Sequence, residues 1–189
     1  MNASIDISST RLHTARLILR PWKQSDLPDF FEYARVDGVG QMAGWLPHKT
    51  PEETQIILDS FLAHKKTFAL ELNGKVIGSL GIETYTEENF PELSGLRGRS
   101  IGYVLSRDYW GRGLMPEAVG EAIRYLFAEK NLDFLLVSHF AWNLQSRRVI
   151  EKCGFTFLQE TVHTTRYHTQ EPAKEYILYR KDWLTHADT

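Results

Sequence analysis

One segment constrains the fold more than any other: RSIGYVLSRDYWGRGLMPEAVGEAIRYLF, from Arg99 to Phe127. Its first part, Arg99 to Ser106, reads as a strand rich in β-branched and aromatic residues. Beyond it, Val119, Ala122, Ile123, Leu126 and Phe127 recur with the i, i+3, i+4, i+7, i+8 spacing of one apolar helical face. Gly111 and Gly113, with Pro116 just behind them, join the two. A strand that feeds directly into an amphipathic helix calls for a sheet on which that helix can lie. The run DFLLVSHF, Asp133 to Phe140, is continuously apolar, as a strand covered on both faces must be.

The remaining elements follow from local signals. LILRPW, Leu17 to Trp22, reads as a first strand ended by Pro21, and Ser25 or Asp26 can cap a helix through about Arg35. Thr50, Pro51 and Glu53 form the pattern of a capping box for a helix reaching about Lys65. FALELNGKVIG is a hairpin turning at Asn73-Gly74, the pair that most readily takes positive φ at both central positions. The polar run TEENFPELSGLRG reads as a long loop. Asn143 can cap a short helix ended by Gly154, and FTFLQETV and KEYILYRK close the chain as strands. The order predicts a mixed α/β sheet with helices on its faces.

Composition narrows the class. The 189 residues are 42% hydrophobic and 24% charged, with a formal net charge of −2. That balance offers no whole-molecule attraction to nucleic acid or to an anionic membrane. No run approaches the ~18 apolar residues of a membrane span, and MNASIDISST lacks the apolar core of a signal peptide, so a soluble cytoplasmic protein is expected. The one cysteine, Cys153, has no intramolecular partner, and the histidines show no metal-ligand spacing; no metal is expected. Residues 1–11 are polar and read as a flexible arm, 12–182 as one domain and 183–189 as a C-terminal tail.

A glycine turn at a helix start suits a pyrophosphate, because the helix N-terminus presents free N–H groups and partial positive charge. Two known solutions fail on spacing. A P-loop needs Lys followed by Ser or Thr after its last glycine, and a dinucleotide fingerprint needs Gly or Ala where this chain has Pro116. A third fits. SRDYWGRGLMPEA after a strand, followed by NLQSRRVIEKCGF (Asn143 to Phe155), resembles the GNAT superfamily of acetyl-CoA-dependent N-acetyltransferases. TARLILRPW, Thr14 to Trp22, is similar to the opening of the ribosomal-protein N-terminal acetyltransferase branch.

The resemblance implies a GNAT fold: a single mixed, mostly antiparallel sheet with helices on both faces and a splayed central parallel strand pair. It implies acetyl-CoA as co-substrate. Backbone N–H groups around Trp110, Gly111, Arg112, Gly113 and Leu114 would hold the pyrophosphate, with Arg107 or Arg112 supplying charge. Backbone near Val104 and Leu105 would pair with the pantetheine amides, and Asn143 would bond the same arm. Asp108 departs from the pattern, which has Gln or Arg there.

Many members place a catalytic tyrosine seven positions after the motif asparagine, where this chain has Ile150. Either the protein binds acyl-CoA without turnover, or another hydroxyl donates; the branch resemblance implies Ser146. A thiol pKa near ~8.5 makes thiolate a tolerable leaving group, so this demand is modest. For the base, an α-amine of pKa ~7.7 to ~8.0 needs far less help than a lysine amine at ~10.4. Glu83 is the first candidate and His139 the second, with Tyr103 as a wall of the acceptor channel or core. The expected acceptor is a protein N-terminal α-amine; polyamines, amino acids and aminoglycosides are the alternatives. The protein is expected as a monomer or homodimer.

Overall fold

A computed structural model describes residues 1–187. Eight strands form one sheet: β1 (Leu12–His13), β2 (Ile18–Pro21), β3 (Thr67–Leu72), β4 (Lys75–Glu83), β5 (Gly98–Leu105), β6 (Phe134–Phe140), β7 (Thr156–Thr164) and β8 (Gln170–Tyr179). Their order is β1-β2-β3-β4-β5-β6-β8-β7, antiparallel throughout except for the central β5/β6 pair. Helices α1 (Leu27–Ala34) and α2 (Pro51–His64) are joined to one core cluster, built on Trp22, Phe30, Leu58 and Val104. Helices α3 (Leu114–Arg124) and α4 (Leu144–Lys152) pack into another, which includes Ile101, Leu105, Leu135 and Val137. The alternation of Ile101 and Leu105 with Val104 into separate cores is the period-2 pleat of β5.

Local signals hold where they are purely local. Asn73 (φ 51°) and Gly74 (φ 83°) both sit in the left-handed region, as a two-residue hairpin turn with the strands' twist requires. Thr50 caps α2 by accepting from Glu53 N at 3.4 Å, but Glu53 reaches past the cap and accepts from Lys49 N at 2.7 Å. Arg20, in the LRPW segment, is 4% exposed and is held by Asp26 through both terminal nitrogens (2.8 and 2.9 Å) and by Glu71 through Nε (2.5 Å). That ion triad ties β2 to β3 and to the start of α1.

Three expectations change. The first eleven residues are not a loose arm: Ile7 is 1% exposed, Ala3 is 4% exposed, and Ala3 N donates to Gly98 O at 3.2 Å. Two small apolar contacts in a polar stretch carry no periodic signature. The expected tail is instead part of a helix, α5 (Arg180–Ala187), whose Trp183 ring lies 5.6 Å from that of Phe127; positions 188 and 189 lie outside the described residues. The helix after the glycine turn changes pitch into a π-turn at Tyr125–Glu129, closed by Lys130 N to Tyr125 O at 3.1 Å. Tyr125, Leu126 and Phe127 are buried in succession there.

Candidate active site

The parallel pair comes apart partway along. Gly98 to Ile101 pair with Phe134 to Val137, and beyond that β5 follows β4 to the Leu105–Gly78 pair while β6 follows β8 to the Phe140–Ala173 pair. The result is a fork open at Gly102–Leu105 on one side and Ser138–Phe140 on the other. Ser106 N donates to β4 at Ile77 O (2.8 Å), so residues of that parity, Val104 among them, spend their backbone groups on β4. Tyr103 and Leu105 therefore present theirs to the gap, where the indole N–H of Trp110 donates to Leu105 O at 2.8 Å. Of the two positions expected to face pantetheine, Leu105 turns its N–H to the gap, whereas Val104 turns its backbone to β4 and Tyr103 stands in its place.

The glycine turn opens at the end of this fork. Gly111 (φ 74°) and Gly113 (φ 73°) are both left-handed, a conformation costing a side-chain-bearing residue roughly 1–2 kcal/mol. Neither is forced by crowding: a Cβ on Gly111 meets nothing within 4 Å, and one on Gly113 meets only Arg16 Nη2 at 3.6 Å. The N–H groups of Gly111, Arg112, Gly113 and Leu114 have no acceptor among the described residues, and they lead into α3. These free donors fit a pyrophosphate. Arg16 braces the turn from behind, donating to Arg112 O at 2.9 Å and to Glu117 at 2.7 Å. Arg112 lies over the Tyr109 ring (5.2 Å) and Arg107 over Trp110 (5.9 Å); Asp108 is exposed.

Asn143 caps α4 as its sequence position predicts, accepting from Ser146 N at 3.0 Å, and its Nδ2 donates to Met42 O at 3.2 Å. It is 4% exposed and holds together the helix start and the turn Gly40–Ala43. Ser146 stands one turn into α4, with its Oγ 2.9 Å from the Tyr103 hydroxyl. Burial raises the Tyr103 pKa, only partly opposed by that hydrogen bond, so the phenol stays protonated at neutral pH. Ile150 is fully buried in the core one turn further. A tyrosine hydroxyl thus reaches Ser146 from β5 and not from α4.

The base candidates separate. His139 is 4% exposed; its Nδ1 lies 2.7 Å from Phe140 O, which can only accept, and its Nε2 lies 3.3 Å from Tyr176 Oη. Burial lowers its pKa and keeps it neutral. It borders a 330 Å³ cavity in the fork together with Ser146, but its ring is already bonded within the core. Glu83, at the end of β4, is paired with Lys66 at 2.5 Å and borders a second cavity of 240 Å³ with Phe30, Trp45, His48 and Phe61. Both cavities are lined by Gly102 and Tyr103. They meet where β5 has no side chain.

Two residues of this region escaped the sequence reading. The His48 ring lies tilted against that of Trp45 (5.0 Å between centroids, 43°), with Nδ1 2.8 Å from Thr54 Oγ1. Arg166, in the β7–β8 turn, borders both cavities. Neither lies in a motif; only the fold brings them to the site. Cys153 is a packing residue, its thiol pushed up to about 12 by burial. Among the described residues no three His, Cys, Asp or Glu side chains are arranged to hold a metal, and no helix is long and apolar enough to cross a membrane.

Residues 16–156 match the family model described as an acetyltransferase (GNAT) domain. The chain belongs to the GNAT acetyltransferase family. Among curated relatives of this GNAT protein, the FsC-acetyl coenzyme A-N(2)-transacetylase of Aspergillus fumigatus is 31% identical over 44% of the chain and 37% of its own length. The [ribosomal protein uS5]-alanine N-acetyltransferase of Escherichia coli is 26% identical over 47% of the chain and 40% of its own length. The chain thus spans well under half of either relative. Among solved structures, a GNAT-family acetyltransferase from Bacillus anthracis superposes with TM-score 0.78 at 20% identity, covering 91% of this chain and 99% of that one. The spermidine N-acetyltransferase of Vibrio cholerae, solved with CoA and spermine, superposes with TM-score 0.73 at 16% identity over 90% of this chain and 99% of that one.

Proposed function

We propose that this GNAT protein transfers an acetyl group from acetyl-CoA directly to a primary amine, with a protein N-terminal α-amine as the acceptor. The observation that carries the reading is the Tyr103–Ser146 hydroxyl pair at the head of the fork, 2.9 Å apart. Acetyl-CoA supplies a thioester whose carbonyl carbon accepts an amine and whose sulfur departs as thiolate. The free N–H groups of Gly111 to Leu114 bind the pyrophosphate, and Tyr103 and Leu105 present backbone to the pantetheine. Asn143 acts by position, fixing Ser146 at the helix start.

Tyr103 donates its proton to a hydrogen bond with Ser146 Oγ, which leaves the Ser146 O–H free to donate to the departing sulfur. As the C–N bond forms and the C–S bond breaks, the amine loses one proton and the thiol gains one, so no external acid is consumed. Glu83 receives the amine's proton, directly or through water; an acceptor with a pKa of ~7.7 to ~8.0 makes this a light task. His139 holds the β6 arm of the fork and is not the base.

The E. coli relative named for the uS5 alanine supports the N-terminal acceptor. The test is release of CoA thiol with Ala- and Ser-initiated peptides, spermidine, free amino acids and an aminoglycoside. Turnover of the peptides upholds the reading. The position of Ile150 favours one rival, a non-catalytic acyl-CoA-binding module, and CoA binding without release for any acceptor would establish it.

A further inference from the structure

The two cavities that meet at Gly102 share a cationic side chain that the transfer steps do not use. Arg166 borders the fork cavity with His139 and Ser146, and the second cavity with Glu83 and His48. Its place is built by the fold. The backbone N–H of Arg166 donates to Gly44 O at 2.8 Å, and the turn that carries it is closed by Thr165 N to Thr169 O (2.8 Å) and by Thr169 N to Thr165 Oγ1 (3.0 Å). Among the described residues no carboxylate lies within ion-pair distance of its guanidinium.

The surrounding charges leave Arg166 uncompensated. Among the described residues Glu83 is the one carboxylate bordering either cavity, and Lys66 pairs with it at 2.5 Å. His48 is held neutral, chiefly by burial and further by the charge of Arg166, with Glu53 pulling the other way. An acceptor with several cationic amines therefore meets Arg166 and a carboxylate whose charge is already shared with Lys66. An acceptor with one amine and a nearby anion meets complementary charge.

We propose that the acceptor carries a carboxylate close to its primary amine and that Arg166 binds it. The proposal rests on the transferase reading and names the substrate class of its acceptor side. Two sources offer this chemistry: an acidic side chain near the start of a peptide, and the α-carboxylate of a free amino acid.

The test compares matched acceptors with and without that charge at equal concentrations of free amine, because replacing an α-carboxylate by its amide also lowers the amine pKa. Peptides beginning Ala-Glu are set against Ala-Gln, and α-amino acids against their amides, with the full chain and acetyl-CoA in a thiol-release assay. A guanidinium–carboxylate contact predicts kcat/KM on the order of tenfold higher for the carboxylate member, carried mainly by KM. The pair that shows the ratio identifies the source. Arg166→Gln brings the ratio towards one, and Arg166→Lys restores part of it. Equal kcat/KM within both pairs, or a ratio that R166Q leaves unchanged, overturns the proposal. Calorimetric titration of each member into CoA-saturated protein reads the same preference without turnover. Tighter binding of the carboxylate member with no acetylation sinks the transferase reading alone, whereas equal binding of both members sinks the role of Arg166.

Discussion

The Tyr103 hydroxyl lies 2.9 Å from Ser146 Oγ, joining β5 to the first turn of α4 across the open fork. If the pair acts as one donor to sulfur, Tyr103→Phe and Ser146→Ala each lower kcat by roughly 10²-fold, and the double variant is little worse than either. Steady-state kinetics on the three variants, with acetyl-CoA affinity measured separately, checks this. Additive losses, or kcat unchanged in S146A, would remove the pair from the mechanism.

Gly113 has φ 73° with space for a Cβ. Gly113→Ala should therefore cost the roughly 1–2 kcal/mol of left-handed strain without a clash. If the turn holds pyrophosphate, the KM for acetyl-CoA rises, and Arg112→Glu raises it further while leaving the melting temperature nearly unchanged. Unaltered CoA affinity in R112E would show that Arg112 supplies no charge to the phosphates.

Gly102 is exposed and a Cβ there meets nothing within 4 Å, yet it lines both cavities. Gly102→Val should leave the fold intact and narrow the passage between them. The expected signature is a raised KM for the acceptor amine with the KM for acetyl-CoA little changed, measured by varying each substrate in turn.

His139 has its pKa lowered by burial from 6.5, so the unfolded chain binds the proton more readily than the native one. Its effect is absent above the unfolded pKa. As pH falls from about 6.5 to the lowered native value, the fold loses stability on its account. His139→Asn removes that contribution, so the stability gap between the native protein and the variant should close, or reverse, between neutral and acid pH in denaturant titrations. A gap independent of pH would show that His139 does not titrate with folding.

Arg20 and Asp26 are both buried and doubly hydrogen-bonded. Asp26→Ala leaves the guanidinium with Glu71 as its one carboxylate partner and Pro21 O as a backbone acceptor, and breaking such a buried pair costs about 3–5 kcal/mol. Chemical denaturation should show that loss as a lower midpoint. A loss below ~1 kcal/mol would mean that water relaxes into the site.

What could be read without coordinates was local. Asn73-Gly74, the Thr50 cap, Asn143 before α4 and the glycines before α3 each act through backbone geometry within a few positions, so spacing alone identified them. Ile150 was visible as a departure for the same reason. The hydroxyl that joins Ser146 was not, because Tyr103 is 43 positions away and meets it only where β5 leaves β6. Arg166 and His48 likewise reach the cavities from loops distant in the chain, and no residue type or interval marks them. The N-terminal segment was misread because two isolated apolar side chains have no period. Sequence by itself determined the order of elements and the glycine turn before α3, since both depend on neighbours in the chain. Tertiary structure decided the fork, the hydroxyl pair and the place of Arg166 beside both cavities, since these depend on which strand each segment follows beyond Ile101.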